Sequence, residues 1–324
     1  MTPPVTRRAL IGYTGFVGTT LRRSLACDAL YNSANVEQIA GQSFDEVICA
    51  AAPATMWQAN HNPDADRANI RRLFDALARA KAGRVILIST IAVFDNPAVS
   101  YTESRAAFEA GTAYGRHRRE LEELVTARFA HTHVVRLPAL FGPGLRKNFV
   151  FDLINPVPSF LRPPAFETLA RAVGAALAGR HYAWDEGLGM WALDRPLLAA
   201  SADRAALTAA VAEAGLAAHN FTNSSSTFQY YNMERLAGDL ATVTAAGLAT
   251  VNICSAPLEA AELCRELTGR TFANPAPPVV HEDVRSDHAA LWRGRSGYLY
   301  ARASVLADLK AFYTHETAAA QAGA

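Results

Sequence analysis

Tyr114 and Arg118 stand four residues apart in AYGRHRRELEELV, residues 113–125. At that spacing two side chains share one helix face, and a cation held beside a phenol favours the phenolate. Tyr114 is thus a candidate general acid/base, with Arg118 as its electrostatic partner. A second signature lies near the start, where GYTGFVG sets Gly12, Gly15 and Gly18 around Phe16 and Val17. Glycines at a strand-to-helix turn permit a tight bend and close backbone approach to a pyrophosphate, whose charge then meets the helix N-terminus. An acidic residue about 20 positions further on would bind the ribose of NAD. Here LYNSANVEQ offers Asn32 and Ser33, with no carboxylate before Glu37. Arg22 and Arg23 either meet a 2′-phosphate or face solvent, so NAD and NADP both stay open.

These residues need elements to hold them. RALIGYTGFVGTTLRRSLA reads as buried strand, glycine turn and helix; DEVICAAA and RVILISTIAVF are further strands, and HTHVVRLPALFGPG is a strand closed by a Gly/Pro turn. NIRRLFDALARAKAG and the Tyr114 segment have helical periodicity. Strands alternating with helices predict an α/β fold with a doubly wound parallel Rossmann sheet. The sheet domain is expected over 1–150 and a smaller, mostly C-terminal substrate lobe over 151–324, alanine-rich and mainly helical up to about residue 220. The end, ASVLADLKAFYTHE, reads as a last helix followed by a frayed tail, AAAQAGA.

Composition narrows the function classes. The chain has 324 residues, 50% of them apolar, and a formal net charge of +1, which argues against nucleic acid or an anionic membrane as partner. Cys27, Cys49, Cys254 and Cys264 show no metal-type or CxxC spacing, and read as buried free thiols. HEDVRSDHAALW matches no standard metal spacing, so no metal is expected. No apolar run is long enough to span a bilayer and no secretory segment is evident, so a cytoplasmic protein is expected. Trp57 and His61 read as loop packing, and His117 as an exposed residue off the Tyr114 face.

GYTGFVG, CAAAPA, Asn69 in ANIRRLFDAL, STIAVF, YGRHR and RLPALFGPG follow one another in an order that resembles the extended short-chain dehydrogenase/reductases, the NAD-dependent epimerase/dehydratase family. The segments FQYYNMERLAGDL and TVNICSAPLEAAELCREL resemble the family's later elements, which implies that about 225–260 returns to the sheet. The resemblance implies hydride transfer with NAD or NADP on a sugar or nucleotide sugar, with Tyr114 as acid/base and Thr90 binding the same reacting oxygen. It further implies that Ser89 and Ala50, Ala51 and Ala52 line the cofactor groove, that Pro138 lies near the nicotinamide, and that a homodimer forms through the tyrosine helix.

The chain departs from the family pattern in four places. Arg118 replaces the lysine of YxxxK, keeping charge and donors on a bulkier planar fork. Ile91 and Ala92 replace the Asp-Glu pair of the 4,6-dehydratases and transfer no proton, which argues against that reaction. Ala139 stands where a substrate-contacting asparagine is common; Asn148 matches a second such asparagine, and Arg146 and Lys147 beside it either meet phosphate or line a solvated loop. Ser226 stands where an arginine often pairs with a diphosphate. Tyr230, Tyr231 and Gln229 either contact a sugar or base, or belong to the core. The expected function is an NAD(P)-dependent sugar epimerase or reductase; the alternative is a non-catalytic dinucleotide-binding sensor or scaffold.

Overall fold

Six short apolar segments form one parallel sheet. In the computed structural model, which describes residues 7–322, these are β1 (Arg8–Ile11), β2 (Ala29–Tyr31), β3 (Ser43–Cys49), β4 (Lys81–Thr90), β5 (Thr132–Leu137) and the strand Thr250–Asn252. Their spatial order is Thr250–Asn252, β5, β4, β3, β1, β2, with every pairing parallel. Both faces are covered. Ala9, Ile11, Val47, Cys49, Val85 and Leu87 face one way, onto Ile70, Leu73 and Leu77 of α3 (Pro63–Ala78) and Leu121 and Val125 of α4 (Ala113–Arg128). Leu10, Ile48, Ile86, Ile88 and Val135 face the other way, onto Leu21 of α1 (Phe16–Ser24) and onto Leu236, Leu240 and Val243 of the helix Leu236–Ala245. Each fully buried side chain of this kind contributes about 1.5–3 kcal/mol, so the two layers hold the sheet from both sides. Beside the sheet, Ala139–Phe141 pairs in parallel with Tyr230–Asn232.

The chain divides into two units. The first comprises the chain up to Leu145, Phe228–Pro257 and His281–Val305; the second comprises Arg146–Thr227, Leu258–Val280 and the chain from Leu306 onward. The return of His281–Val305 adds to what the sequence led us to expect. The second unit also departs from the expected run of helices. Phe160–Leu161, Tyr182–Asp185 and Met190–Leu193 form a three-stranded antiparallel sheet. On it Phe166 stacks against Trp191 at 3.8 Å between ring centroids, over a core of Leu161, Leu169, Tyr182, Leu207 and Val211. Strands of two to four residues in alanine-rich surroundings carry too short an alternation to be read from sequence.

Two further segments differ from expectation. Residues Met56–His61 are a short helix, α2, not a loop, on which Trp57 stacks against His61 at 4.9 Å. The last helix runs Arg302–Ala322, through most of the supposed frayed tail. The N-terminal residues 1–6 and Gly323 and Ala324 lie outside the described residues. Among the described residues no helix is long and apolar enough to cross a membrane, and no group of three or more His, Cys, Asp or Glu side chains is placed to hold a metal ion. The four cysteines are unpaired; Cys49, Cys254 and Cys264 are buried and Cys27 is half-buried.

Candidate active site

The strand order reverses at β1, with β2 on one side and β3 on the other, and such a switch point opens a crevice at the carboxyl ends of the strands. Gly12 and Ala50 to Ala52 stand at those two ends. Gly12 has φ +90°, and a methyl group there would lie 2.5 Å from the Ala50 carbonyl oxygen. A methyl group on Gly18 would lie 2.0 Å from the Gly12 carbonyl oxygen. Gly15 differs: its nearest neighbour would be the Gly12 oxygen at 3.5 Å, an ordinary contact. Gly15 is the N-cap of α1 and no side chain caps it, so the first amide groups, including those of Phe16 and Val17, are unsatisfied by a cap. Two of the glycines are thus demanded by the fold, and the third stands at an uncapped helix start with room for a methyl group.

Beside the turn lies a pocket of about 230 Å³, lined by Ile11, Asn32, Ser33, Val36, Ala51, Pro53, Asn69, Arg72 and Leu73. The Asn32 amide donates to the Tyr13 hydroxyl at 3.3 Å, and Arg72 donates to the Ser33 carbonyl at 3.1 Å. No carboxylate lines this pocket. Ala50 and Ala52 are half-buried beside it, and Pro138 is buried at the end of β5.

β4 ends at Thr90, and α4 begins at Ala113. The Thr90 hydroxyl oxygen accepts the Ala92 amide at 3.1 Å, and the Thr90 side chain is near enough to the Tyr114 phenol to favour its ionisation. Gly115 brings the two elements together, since a Cβ there would stand 2.2 Å from the Ala92 carbonyl oxygen. At the helix start the Asn60 carboxamide of α2 accepts the Tyr114 amide at 2.8 Å, and the Glu109 carboxylate accepts the amides of Gly111 and Thr112. Asn60 and Glu109 position the tyrosine, and neither shows a signal in the sequence beyond its polar type.

The surroundings of Arg118 correct one expectation and qualify another. Its guanidinium is 2% exposed and makes two bonds to Asp66 of α3, Nη1 to Oδ2 at 2.5 Å and Nη2 to Oδ1 at 2.9 Å, with a third to the Pro53 carbonyl at 2.5 Å. It lies 4.1 Å from the centroid of the Tyr114 ring. Its Nε has no hydrogen-bond partner among the described residues. His117, expected to be exposed, is buried and meets Asp66 through Nδ1 at 2.8 Å. The reason is that α4 is wedged against α2, α3 and the sheet, so little of its surface is free. Arg118 draws the phenol towards ionisation, as expected, but burial outweighs it: the Tyr114 hydroxyl is pushed above the usual tyrosine value, opposed by Arg118 and Thr90 and reinforced by the Asp66 carboxylate.

Below this pair, the Ser89 hydroxyl donates to Glu122 at 2.6 Å, and Glu122 takes two bonds from the buried Arg136 at 2.9 and 2.7 Å. Ser89 therefore ties the strand end to α4.

The remaining predicted residues lie elsewhere. Asn148 (φ +98°) is in the second unit, where its side-chain oxygen accepts the amides of Val150 and Phe151; Lys147 next to it is exposed. Tyr230 is 1% exposed, so the expectation of a sugar-contacting ring gives way to a core residue packed edge-on against Phe228. Ser226 is buried in the second unit and its oxygen accepts the Val280 amide.

Residues 9–159 match the family described as RmlD substrate binding domain. No curated protein matches the chain. Among solved structures, RMD from Pseudomonas aeruginosa, complexed with NADPH, shares 16% identity at a TM-score of 0.60, covering 97% of this chain and 98% of that one. A dTDP-4-dehydrorhamnose reductase from Clostridium acetobutylicum shares 15% at 0.60, covering 96% and 99%. The UDP-N-acetylglucosamine 4-epimerase from Methanobrevibacter ruminantium, in complex with UDP-N-acetylmuramic acid, shares 12% at 0.59, covering 95% and 97%. At these identities the likeness is one of fold: this chain is built like the sugar-nucleotide reductases and epimerases.

Proposed function

We propose that the chain is an NAD(P)-dependent oxidoreductase or epimerase acting on a sugar, with a nucleotide-linked sugar as the first class to test. The observation that carries this is the meeting of Thr90 and Tyr114 at the end of β4, in the same unit as an uncapped glycine turn at the sheet's switch point. The uncapped start of α1 after Gly15 and the unpartnered Arg118 Nε are the features that fit a dinucleotide. Gly12, Gly15, Phe16 and Val17 would hold its pyrophosphate, Asn32 and Ser33 its adenosine side, and Ala50 to Ala52 and Pro138 the groove wall. When bound, it supplies hydride acceptance or donation. Tyr114 holds the proton that moves to or from the substrate oxygen, and Thr90 orients that oxygen by a hydrogen bond. Arg118 Nε is a donor fitted to a ribose hydroxyl. Ile91 and Ala92 leave no second acid/base after Thr90, which disfavours dehydration.

The NADPH and nucleotide-sugar complexes of the structural relatives support this reading. Tyr114→Phe tests it on a panel of nucleotide sugars with both cofactors. Turnover should fall about 10³-fold while cofactor affinity by calorimetry is unchanged. Persistent turnover would remove Tyr114 from the mechanism; dinucleotide binding without turnover of any panel member by the unmodified protein would favour the sensor or scaffold.

A further inference from the structure

We propose that Asp66 is the positioning residue of the Tyr114 site: it holds the Arg118 guanidinium in a buried two-bond pair, opposing its charge and fixing its plane over the tyrosine ring. The proposal rests on the reading of Tyr114 as acid/base. Asp66 is 5% exposed and Arg118 2%, so neither charge is carried by water. Both carboxylate oxygens are taken by Arg118, at 2.5 and 2.9 Å, and one of them also meets His117. A planar fork bound at both tips cannot rotate about its axis. It is this restraint that keeps the guanidinium 4.1 Å from the ring centroid and leaves Nε as its unused donor.

A lysine at position 118 would offer a point charge, whereas the arginine meets the Asp66 carboxylate with two donors. Around Tyr114, the charged groups are Arg118 on its own helix and Asp66 on α3, with His117 of α4 touching Asp66. α2 contributes the uncharged Asn60, β4 the uncharged Thr90, and the preceding loop Glu109, whose carboxylate accepts the amides of Gly111 and Thr112. His61 of α2 is exposed and stacked on Trp57. Among the described residues Asp66 is the anion that adds to burial in keeping the phenol protonated.

The test follows the Tyr114 phenolate by ultraviolet absorbance in the protein without cofactor or substrate, as the difference between each variant and its Tyr114→Phe counterpart. In Asp66→Asn the phenolate should appear at a pH lower by about one unit than in the unmodified protein, and the tyrosine-governed limb of kcat/KM should move the same way. A folded Asp66→Asn protein whose Tyr114 titrates where the unmodified protein does would overturn the proposal. Should that variant not fold, Asp66→Asn with Arg118→Gln removes both charges at once. Titration within about half a pH unit of the unmodified protein then supports the pairing, and a rise of about one unit or more overturns it. Because the absorbance needs no substrate, loss of the catalytic reading and loss of this pairing are told apart.

Discussion

The glycine turn and the tyrosine helix share one unit but are built from different materials. The turn is backbone: Gly12, Gly15 and Gly18 matter for the side chains they lack, and its ligand-binding groups would be amides. The tyrosine site is assembled from side chains on separate elements, with Thr90 from β4, Asn60 from α2, Asp66 from α3 and Arg118 from α4. A backbone site is written in one short stretch of sequence. A side-chain site is spread along the chain, and each of its members is an ordinary residue until the fold brings it to the others.

That contrast can be broken in several places. The largest effect on stability is expected at Glu122, where Glu122→Gln leaves the Arg136 charge buried without its counter-ion. Denaturant unfolding should show a loss of about 4 kcal/mol; a loss below about 1 kcal/mol would mean the side-chain network under the site is not what holds it. Next comes Gly12→Ala, which forces a side chain into φ +90° and against Ala50. About 3 kcal/mol should be lost by the same measurement.

An intermediate case is Glu282, which accepts the Gln229 amide at 2.9 Å and whose carboxyl burial raises from 4.5 to about 7. A carboxyl raised in the folded state binds more protons than in the unfolded chain. Its contribution to stability is then present below 4.5 and lost as pH rises through about 7. Glu282→Gln should leave stability unchanged at about pH 4 and raise it by about 2 kcal/mol at about pH 8. A pH-independent effect would remove the titration as its cause. The smallest effect on the fold is expected at Gly15→Ala, below about 0.5 kcal/mol, because the space is open. Dinucleotide affinity should nevertheless drop roughly tenfold or more by calorimetry. Unchanged affinity would leave the turn a structural bend rather than a pyrophosphate cradle.

Much of the first unit could be read before any coordinates. Strands such as RALI and VILIST are buried on both faces, so they appear as unbroken apolar runs. Thr90 and Tyr114 could be paired because the strand end and the helix start carry recognisable residues. Asp66 could not, since it precedes Asn69 by three positions in a segment that reads only as the start of a helix. Its partner lies 52 residues away. His117 was misplaced for a related reason: a helix packed on several sides buries positions that an exposed amphipathic helix would leave in water. In the second unit the obstacle was length, because two-residue strands such as Phe160–Leu161 offer no alternation to detect.

Gly115 has a bearing on how far this site can change in descent. Position 118 has some latitude, because its charge sits at the tip of a long side chain, where Asp66 meets it. Position 115 has no such latitude, with the Ala92 carbonyl oxygen 2.2 Å from where its first carbon would sit. A larger residue directly after the tyrosine would therefore force the end of β4 and the start of α4 apart, whatever cation stands at position 118.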